Sequence, residues 1–312
     1  MPGSVSWLTA RIRNLLDVPR ISAHVAPSKR RGSLLSLIGA AVVIALGLLS
    51  LGTAHALTLR SAAQSANSAS LTDTAVAPTH VDLVDHGGAV LPAATVHAIW
   101  WGPTADFPAD ERTTVEAELA ALDGSSYLAV ANQYLHGAAA SATFTAAHSW
   151  ADVSAPTAGL VTADTLAAEV TRYLVATGQK PSATAIYLVF TSTGITGDEC
   201  AWHSARTVTA NGASALAPVA YLPNATGVDK CDTRIPVAGV PAAATSVAAS
   251  VAHEILETET DVIPGATWTA ADGDEIGDVC AAEIRLVTLQ GGLTLPLQAV
   301  WSNATEACAV SA

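Results

Sequence analysis

The chain reads as a mixed α/β (α+β) protein built on one central sheet, and three observations predict it. Helix-like and strand-like stretches alternate from residue 79 onward. Ala185-Ile186-Tyr187-Leu188-Val189-Phe190 is an unbroken apolar run, the pattern of a central strand buried on both faces. A C-terminal β-hairpin signal closes the chain over residues 284–301, with its turn at Gly291-Gly292.

Taken in order, residues 81–84 and 95–101 read as strands around a His86-Gly87-Gly88 turn. Residues 108–122 read as a helix, with Pro108 near its first turn and Asp110 and Glu111 early, where carboxylates suit the helix dipole. A second helix is expected over 125–135, capped by Ser125, whose hydroxyl can accept an otherwise unpaired N–H. Residues 142–150 alternate weakly, like a strand. Over 164–176, Leu166, Ala167, Val170, Tyr173 and Leu174 form a helical stripe that Gly178 and Pro181 end. A turn containing Gly follows the central strand and leads into Cys200-Ala201-Trp202-His203, then a strand of small and apolar residues ending near Tyr221. Residues 243–252 are small, apolar and free of Gly and Pro, which predicts a helix running into His253.

The start of the chain is different in kind. Six of the 14 Lys and Arg (Arg11, Arg13, Arg20, Lys29, Arg30, Arg31) precede the first long apolar run, where Asp17 is the only acid. Residues 1–33 therefore read as a basic segment held in the cytoplasm. Residues 34–56 carry no Lys, Arg, Asp or Glu, and Ala54-His55-Ala56 supplies the small-x-small pattern a signal peptidase accepts. The run is long for a signal peptide, so a retained transmembrane helix is the other reading. Both put the rest of the chain outside the cytoplasm. Residues 57–78, rich in Ser, Ala and Thr, read as a flexible linker, and 79–312 as one globular domain. No internal repeat is visible.

Beyond the basic segment, the 8 remaining basic residues face 26 acidic ones. That balance excludes nucleic acid as a partner and leaves membrane contact to the N-terminal segment alone, if it is uncleaved. Four cysteines, Cys200, Cys231, Cys280 and Cys308, all lie in the exported part. In an oxidising compartment they predict two disulfides, and proximity in the chain favours Cys200–Cys231 and Cys280–Cys308. A thiolate metal site competes less well, because no Cys-x-x-Cys occurs.

The chemistry centres on Ala252-His253-Glu254-Ile255-Leu256-Glu257. On a helix, His253 and Glu257 stand one turn apart at i and i+4 and share a face. An imidazole and a carboxylate so placed can hold one ion, and the adjacent Glu254 can take a proton from a water that the ion polarises. This is the content of the H-E-x-x-H zinc motif, with Glu257 in the place of the second His. Downstream, Asp272-Gly273-Asp274-Glu275-Ile276-Gly277-Asp278-Val279-Cys280 carries four carboxylates. Such a segment is either solvated or folded back to supply oxygen ligands, Glu275 and Asp278 being the candidate donors and Cys280 the pin. Asp272-Gly273-Asp274 lacks the spacing of an EF-hand. His203 is a further candidate ligand, whereas His97 and His148 sit in strand-like runs and read as packing residues.

Four blocks in order resemble the EXORDIUM, or phosphate-induced protein, family, known from plant extracellular proteins and with bacterial members. They are His86-Gly87-Gly88-Ala89-Val90-Leu91 with Thr95-Val96-His97-Ala98-Ile99-Trp100-Trp101-Gly102; Cys200-Ala201-Trp202-His203; Ala220-Tyr221-Leu222-Pro223-Asn224 leading to Cys231; and the 252–257 helix with Trp268 and Glu275-Ile276-Gly277-Asp278-Val279-Cys280. Trp101 stands where Tyr is common and Ala201 where Gly is usual, and residues 102–150 offer no match. The resemblance implies an extracellular location, a link between the 253 helix and the 275–280 segment, and a role in growth and cell expansion. It does not by itself make the site catalytic.

Two functions are therefore expected. The first is a secreted or surface EXORDIUM-like protein whose helix-borne ion is structural, in a growth- or cell-wall-related role. The alternative is a zincin-like metal-dependent hydrolase of the peptidase type, with His253, Glu257, Asp278, Glu275 and His203 about the ion and Glu254 as general base. A divalent metal is implied in both, with zinc favoured and calcium possible, since one imidazole among carboxylates makes a hard, anionic site. An extracellular peptide or cell-wall component is the expected partner, and seven Trp offer stacking surfaces for a carbohydrate. No Gly-x-Ser-x-Gly elbow and no Gly-rich phosphate loop occur. The sequence leaves the oligomeric state open.

Overall fold

The structure, a computed structural model, describes residues 82–156, 161–192 and 199–312. The basic segment 1–33, the apolar segment 34–56 and the linker 57–78 lie outside the described residues. Among the described residues no helix is long and apolar enough to cross a membrane, and this corrects the expectation of a transmembrane helix.

The elements follow in chain order: β1 (Val84–Asp85), β2 (Ala93–Trp101), α1 (Ala109–Leu122), β3 (Ser141–Thr143), β4 (Ser149–Asp152), α2 (Ala163–Thr177), β5 (Ala185–Thr191), β6 (Trp202–Ala210), β7 (Ala213–Pro223), α3 (Ala242–Thr260), β8 (Trp268–Thr269), β9 (Ile284–Thr288), β10 (Thr294–Gln298), β11 (Val300–Ser302) and β12 (Ala307–Ala309). The central sheet has the order β3-β2-β5-β7-β6, with β4 also on β2. Every pairing in it is parallel except that of β6 with β7, which is antiparallel, so the sheet ends on an antiparallel edge strand. Separate hairpins, β9–β10 and β11–β12, close the C-terminus, and β1 pairs with β8.

Alternation along the strands distributes side chains to two cores. Trp100, Leu188, Phe190 and Leu222 face α1, α3 and the C-terminal strands. Ile99, Trp101, Tyr187, Val189 and Tyr221 face α2 through Leu166, Val170, Tyr173 and Leu174. Residues 185–191 are buried throughout because both faces of β5 are covered, as the unbroken apolar run predicts. The stripe over 164–176 is α2, begun by a reciprocal Thr162/Thr165 capping box and ended by Gly178 at φ 72.

Some elements differ from expectation. Residues 125–135 form a 3-10 run over Leu128–Tyr134 rather than an α-helix, although Ser125 Oγ does accept the Leu128 N–H at 3.0 Å. The run is tied down by Tyr127 and Tyr134, whose hydroxyls donate to the carbonyls of Gln298 and Trp301, a tertiary demand that overrides local propensity. Residues 142–150 split into β3 and β4, both parallel to β2, around a turn at Ala146–His148. The disulfides are Cys200–Cys231 and Cys280–Cys308, as proximity in the chain predicts.

Leu188 in β5 is 0% exposed, so Leu188→Ala should cost about 2–5 kcal/mol in denaturant unfolding through lost burial and the cavity left behind. Val153→Ala, at a position 64% exposed, should stay within about 0.5 kcal/mol of the parent.

Candidate metal centre

The second half of α3 supplies three of the site's side chains. Its first half is Ala- and Val-rich, and Ala244, Val247, Ala248 and Val251 seat it in the core, which fixes where the next two turns point. One turn apart, His253 Nε2 and Glu257 Oε2 lie 2.9 Å from each other. Glu254 is turned toward the edge strand, its Oε2 3.4 Å from Nδ1 of His203 near the start of β6. Glu257 Oε2 is also 3.6 Å from that Nδ1.

Asp261 ends α3 and folds the chain back. Its carboxylate accepts the N–H groups of Ala266 and Thr267, both at 3.0 Å. The returning segment brings Asp278 Oδ1 to 3.7 Å from His253 Nε2. Gly277 makes this approach possible, and the reason is space rather than an unusual φ. Its N–H donates to Glu257 Oε1 at 3.2 Å. A Cβ there would sit 2.4 Å from His253 Nδ1 and 2.9 Å from Glu257 Oε1. Trp301 N–H donates to Ile276 O, and the disulfide at Cys280 fastens the segment two residues beyond Asp278.

Two sets of three donors result. His203, Glu254 and Glu257 form a buried set, and His253, Glu257 and Asp278 a set that opens outward; in each, the donor atoms lie within 4.8 Å of one another. Glu257 belongs to both. Glu275 stands outside them, its Oε1 3.8 Å from Nε2 of His203. That Nε2 lies 2.9 Å from the backbone carbonyl of Asp261, which can only accept, so it carries a proton. Gln298, on β10, donates from Nε2 to Gly277 O at 2.6 Å and lies 3.0 Å from His253 Nδ1.

The electrostatics are those of a site that requires positive charge. Burial works against charging His253, but the Glu257 carboxylate, backed by Glu254 and Asp278, pushes its pKa up to about 10. Burial likewise opposes a charged His203, yet the approach of Glu254, Glu257 and Glu275 carries it well above the usual imidazole value. Burial opposes ionising Glu257 too, and the two imidazoles overcome it, drawing the carboxyl down to about 2. Glu254 and Asp278 are raised, mainly by burial, and Glu275 reaches about 9 through burial and the charge of Glu257. Two buried oxygens, Glu254 Oε2 and Glu275 Oε1, have no hydrogen-bond partner. Donors of this type, with orphaned oxygens among them, fit a divalent cation.

The donors stand where two cavities meet. One of about 650 Å³ is walled by Cys200, Cys231, Ala249, Ser250 and Ile284. The other, of about 370 Å³, is walled by Trp202, His203, Ser204 and Pro264. Glu199, Ala201, His253, Glu254 and Asp278 line both. All of the sequence candidates thus lie in one region. The sequence reading missed Gln298 and the Asp261 carbonyl, which carry no local motif and reach the site only through the fold.

No protein-family model, no curated protein and no solved structure matches the chain.

Gly277→Ala should destabilise the protein by about 1–3 kcal/mol in denaturant unfolding, because the added methyl forces His253 and Glu257 apart. The raised groups also set a pH dependence. Between pH 4.5 and about 9 for Glu275, and between 6.5 and about 10 for His253, the folded chain keeps protons that the unfolded chain has released. The melting temperature of the metal-free protein should therefore fall as pH rises through these windows. Saturating divalent metal should flatten that slope, since the ion replaces the protons.

Proposed function

We propose that the chain is an exported, zincin-like metal-dependent hydrolase acting on extended peptides. His253, Glu257 and Asp278 would hold the ion, zinc being the favoured one, and Glu254 would be the general base. The observation that carries this reading is the place of Glu254: beside the outward-opening donor set rather than within it, and in the wall of both cavities. A divalent ion at such a site polarises a carbonyl and acidifies water. Glu254, whose pKa is raised by burial, is the carboxylate beside that set placed to accept the proton. His203 stands behind Glu254 at 3.4 Å and supplies the countercharge that keeps the carboxylate available.

The peptide substrate is supported by the edge of the sheet. The smaller cavity runs past Trp202, His203 and Ser204 at the start of β6, the antiparallel strand on which the sheet ends. An extended segment can add to such an edge through main-chain hydrogen bonds. Export is supported by the basic and apolar N-terminal segments and by the two disulfides, which persist in oxidising surroundings. The growth- and cell-wall-related role rests on the resemblance to the EXORDIUM family alone, and the arrangement of Glu254 favours hydrolysis over a purely structural ion.

The test compares metal content and peptide-library hydrolysis for the parent, His253→Ala and Glu254→Gln. His253→Ala should lose the ion and the activity. Glu254→Gln should keep the ion and lose about 10²–10⁴-fold in kcat. A fully loaded parent that cleaves nothing, or a Glu254→Gln variant as active as the parent, would sink the proposal.

A further inference from the structure

We infer that the centre holds two divalent cations bridged by the Glu257 carboxylate, the second lying among His203, Glu254 and Glu257. The inference rests on the metal-binding part of the reading above and is independent of hydrolysis. Its starting point is His203. Its Nε2 proton is committed to the Asp261 carbonyl, so Nδ1 is the atom that faces Glu254 Oε2 and Glu257 Oε2, at 3.4 and 3.6 Å. The three side chains are buried together, those of His203 and Glu254 being 2% and 1% exposed. Both contacts are long for a hydrogen bond, and Glu254 Oε2 has no hydrogen-bond partner. A proton on Nδ1 serves one carboxylate at a time, whereas a cation in its place is met by all three donors.

The spacing agrees. Donors about 2.1 Å from a tetrahedral ion lie roughly 3.4 Å apart. The His203–Glu254 and His203–Glu257 separations of 3.4 and 3.6 Å match that value, as does the 3.7 Å between His253 and Asp278 in the outer set, while His253 and Glu257, at 2.9 Å, stand closer and would part slightly about an ion. Glu257 joins the two sets, with Oε2 2.9 Å from His253 Nε2 as well as facing His203. Carboxylate-rich centres that take two ions commonly hold them about 3.5–4 Å apart. The inner ion would engage Glu254 through Oε2, and the other oxygen of that carboxylate remains for the base role.

Mn²⁺ is the probe, since it suits mixed imidazole and carboxylate donors and reports its own coupling. The full chain is stripped of metal and titrated with Mn²⁺, with bound metal and electron paramagnetic resonance followed together. The parent should bind two equivalents, the second converting the isolated-ion signal into that of an exchange-coupled pair. His203→Ala should bind half as much and give only the isolated-ion signal, as should Asp278→Ala with the inner ion kept. Should either variant fail to fold, the coupled signal of the parent decides alone. One equivalent, lost in His253→Ala and untouched in His203→Ala, would overturn the pair and leave the one-ion hydrolase standing. Two coupled ions without peptide cleavage would uphold the pair and remove the hydrolase. No bound ion would overturn both.

Discussion

Everything in the centre follows from burying carboxylates on the last turns of one helix. Glu254 and Glu257 are 1% and 3% exposed, and α3 ends three residues after Glu257, where its carbonyls leave a partial negative charge. Taking an ionised carboxylate out of water costs several kcal/mol after relaxation, and the helix end adds to that cost. Only positive charge brought from elsewhere in the chain makes the arrangement tenable. His203 comes from the sheet edge, and His253 from the preceding turn of the same helix. The backbone N–H of Gly277 comes from the returning loop.

Two other buried acids show that burial alone does not make such a site. Glu118 on α1 and Glu259 on α3 are both 0% exposed, and all four of their carboxyl oxygens lack a hydrogen-bond partner. Neither has an imidazole within ion-pair distance, and burial raises both pKa values well above the ordinary range. They meet the same constraint by keeping their protons. Glu257 is drawn in the opposite direction, to about 2, by two imidazoles. Two residues apart on the same helix and so on nearly opposite sides of it, Glu257 and Glu259 differ in what faces them, and that difference separates a shared donor from a packing acid.

What the sequence made legible was whatever depends on neighbours in the chain. The i, i+4 spacing of His253 and Glu257 requires only that residues 242–260 be helical, and the apolar run at 185–190 requires only cover on both faces. Both are local facts. The pairing of His203 with Glu254 depends on β6 running antiparallel at the edge of the sheet, so that its first residues come over α3. The Asn211-Gly212 turn, with φ of 48 and 73, encodes the hairpin locally, but nothing near His203 encodes that the start of the strand meets α3. Gln298 is further removed, since it reaches His253 across 45 residues and only because β9–β10 packs beside α3. The glycine at 277 is visible in the sequence but its reason is not: a methyl group there would collide with side chains 20 and 24 residues upstream. The 3-10 run at 128–134 diverged for the same cause, because hydroxyls of Tyr127 and Tyr134 answer carbonyls near the far end of the chain.

The donors also differ in how firmly they are held, and this bears on how the centre can exchange ligands. His253, Glu254 and Glu257 sit on a helix packed into the core, and His203 sits near the start of a sheet strand, all on regular elements. Asp278 alone comes from a loop, and its side chain is 46% exposed. A loop donor keeps its geometry only if the loop is fastened. The Cys280–Cys308 disulfide does this from two residues away, with the Trp301–Ile276 and Gln298–Gly277 hydrogen bonds beside it. The second disulfide, at Cys200, fastens the opposite wall of the larger cavity. The covalent links therefore brace the two rims of the cleft and leave the sheet to its own packing. A centre built this way is buried on its inner side and exposed at Asp278, which is where an ion or a water can enter without disturbing the buried pairs behind it.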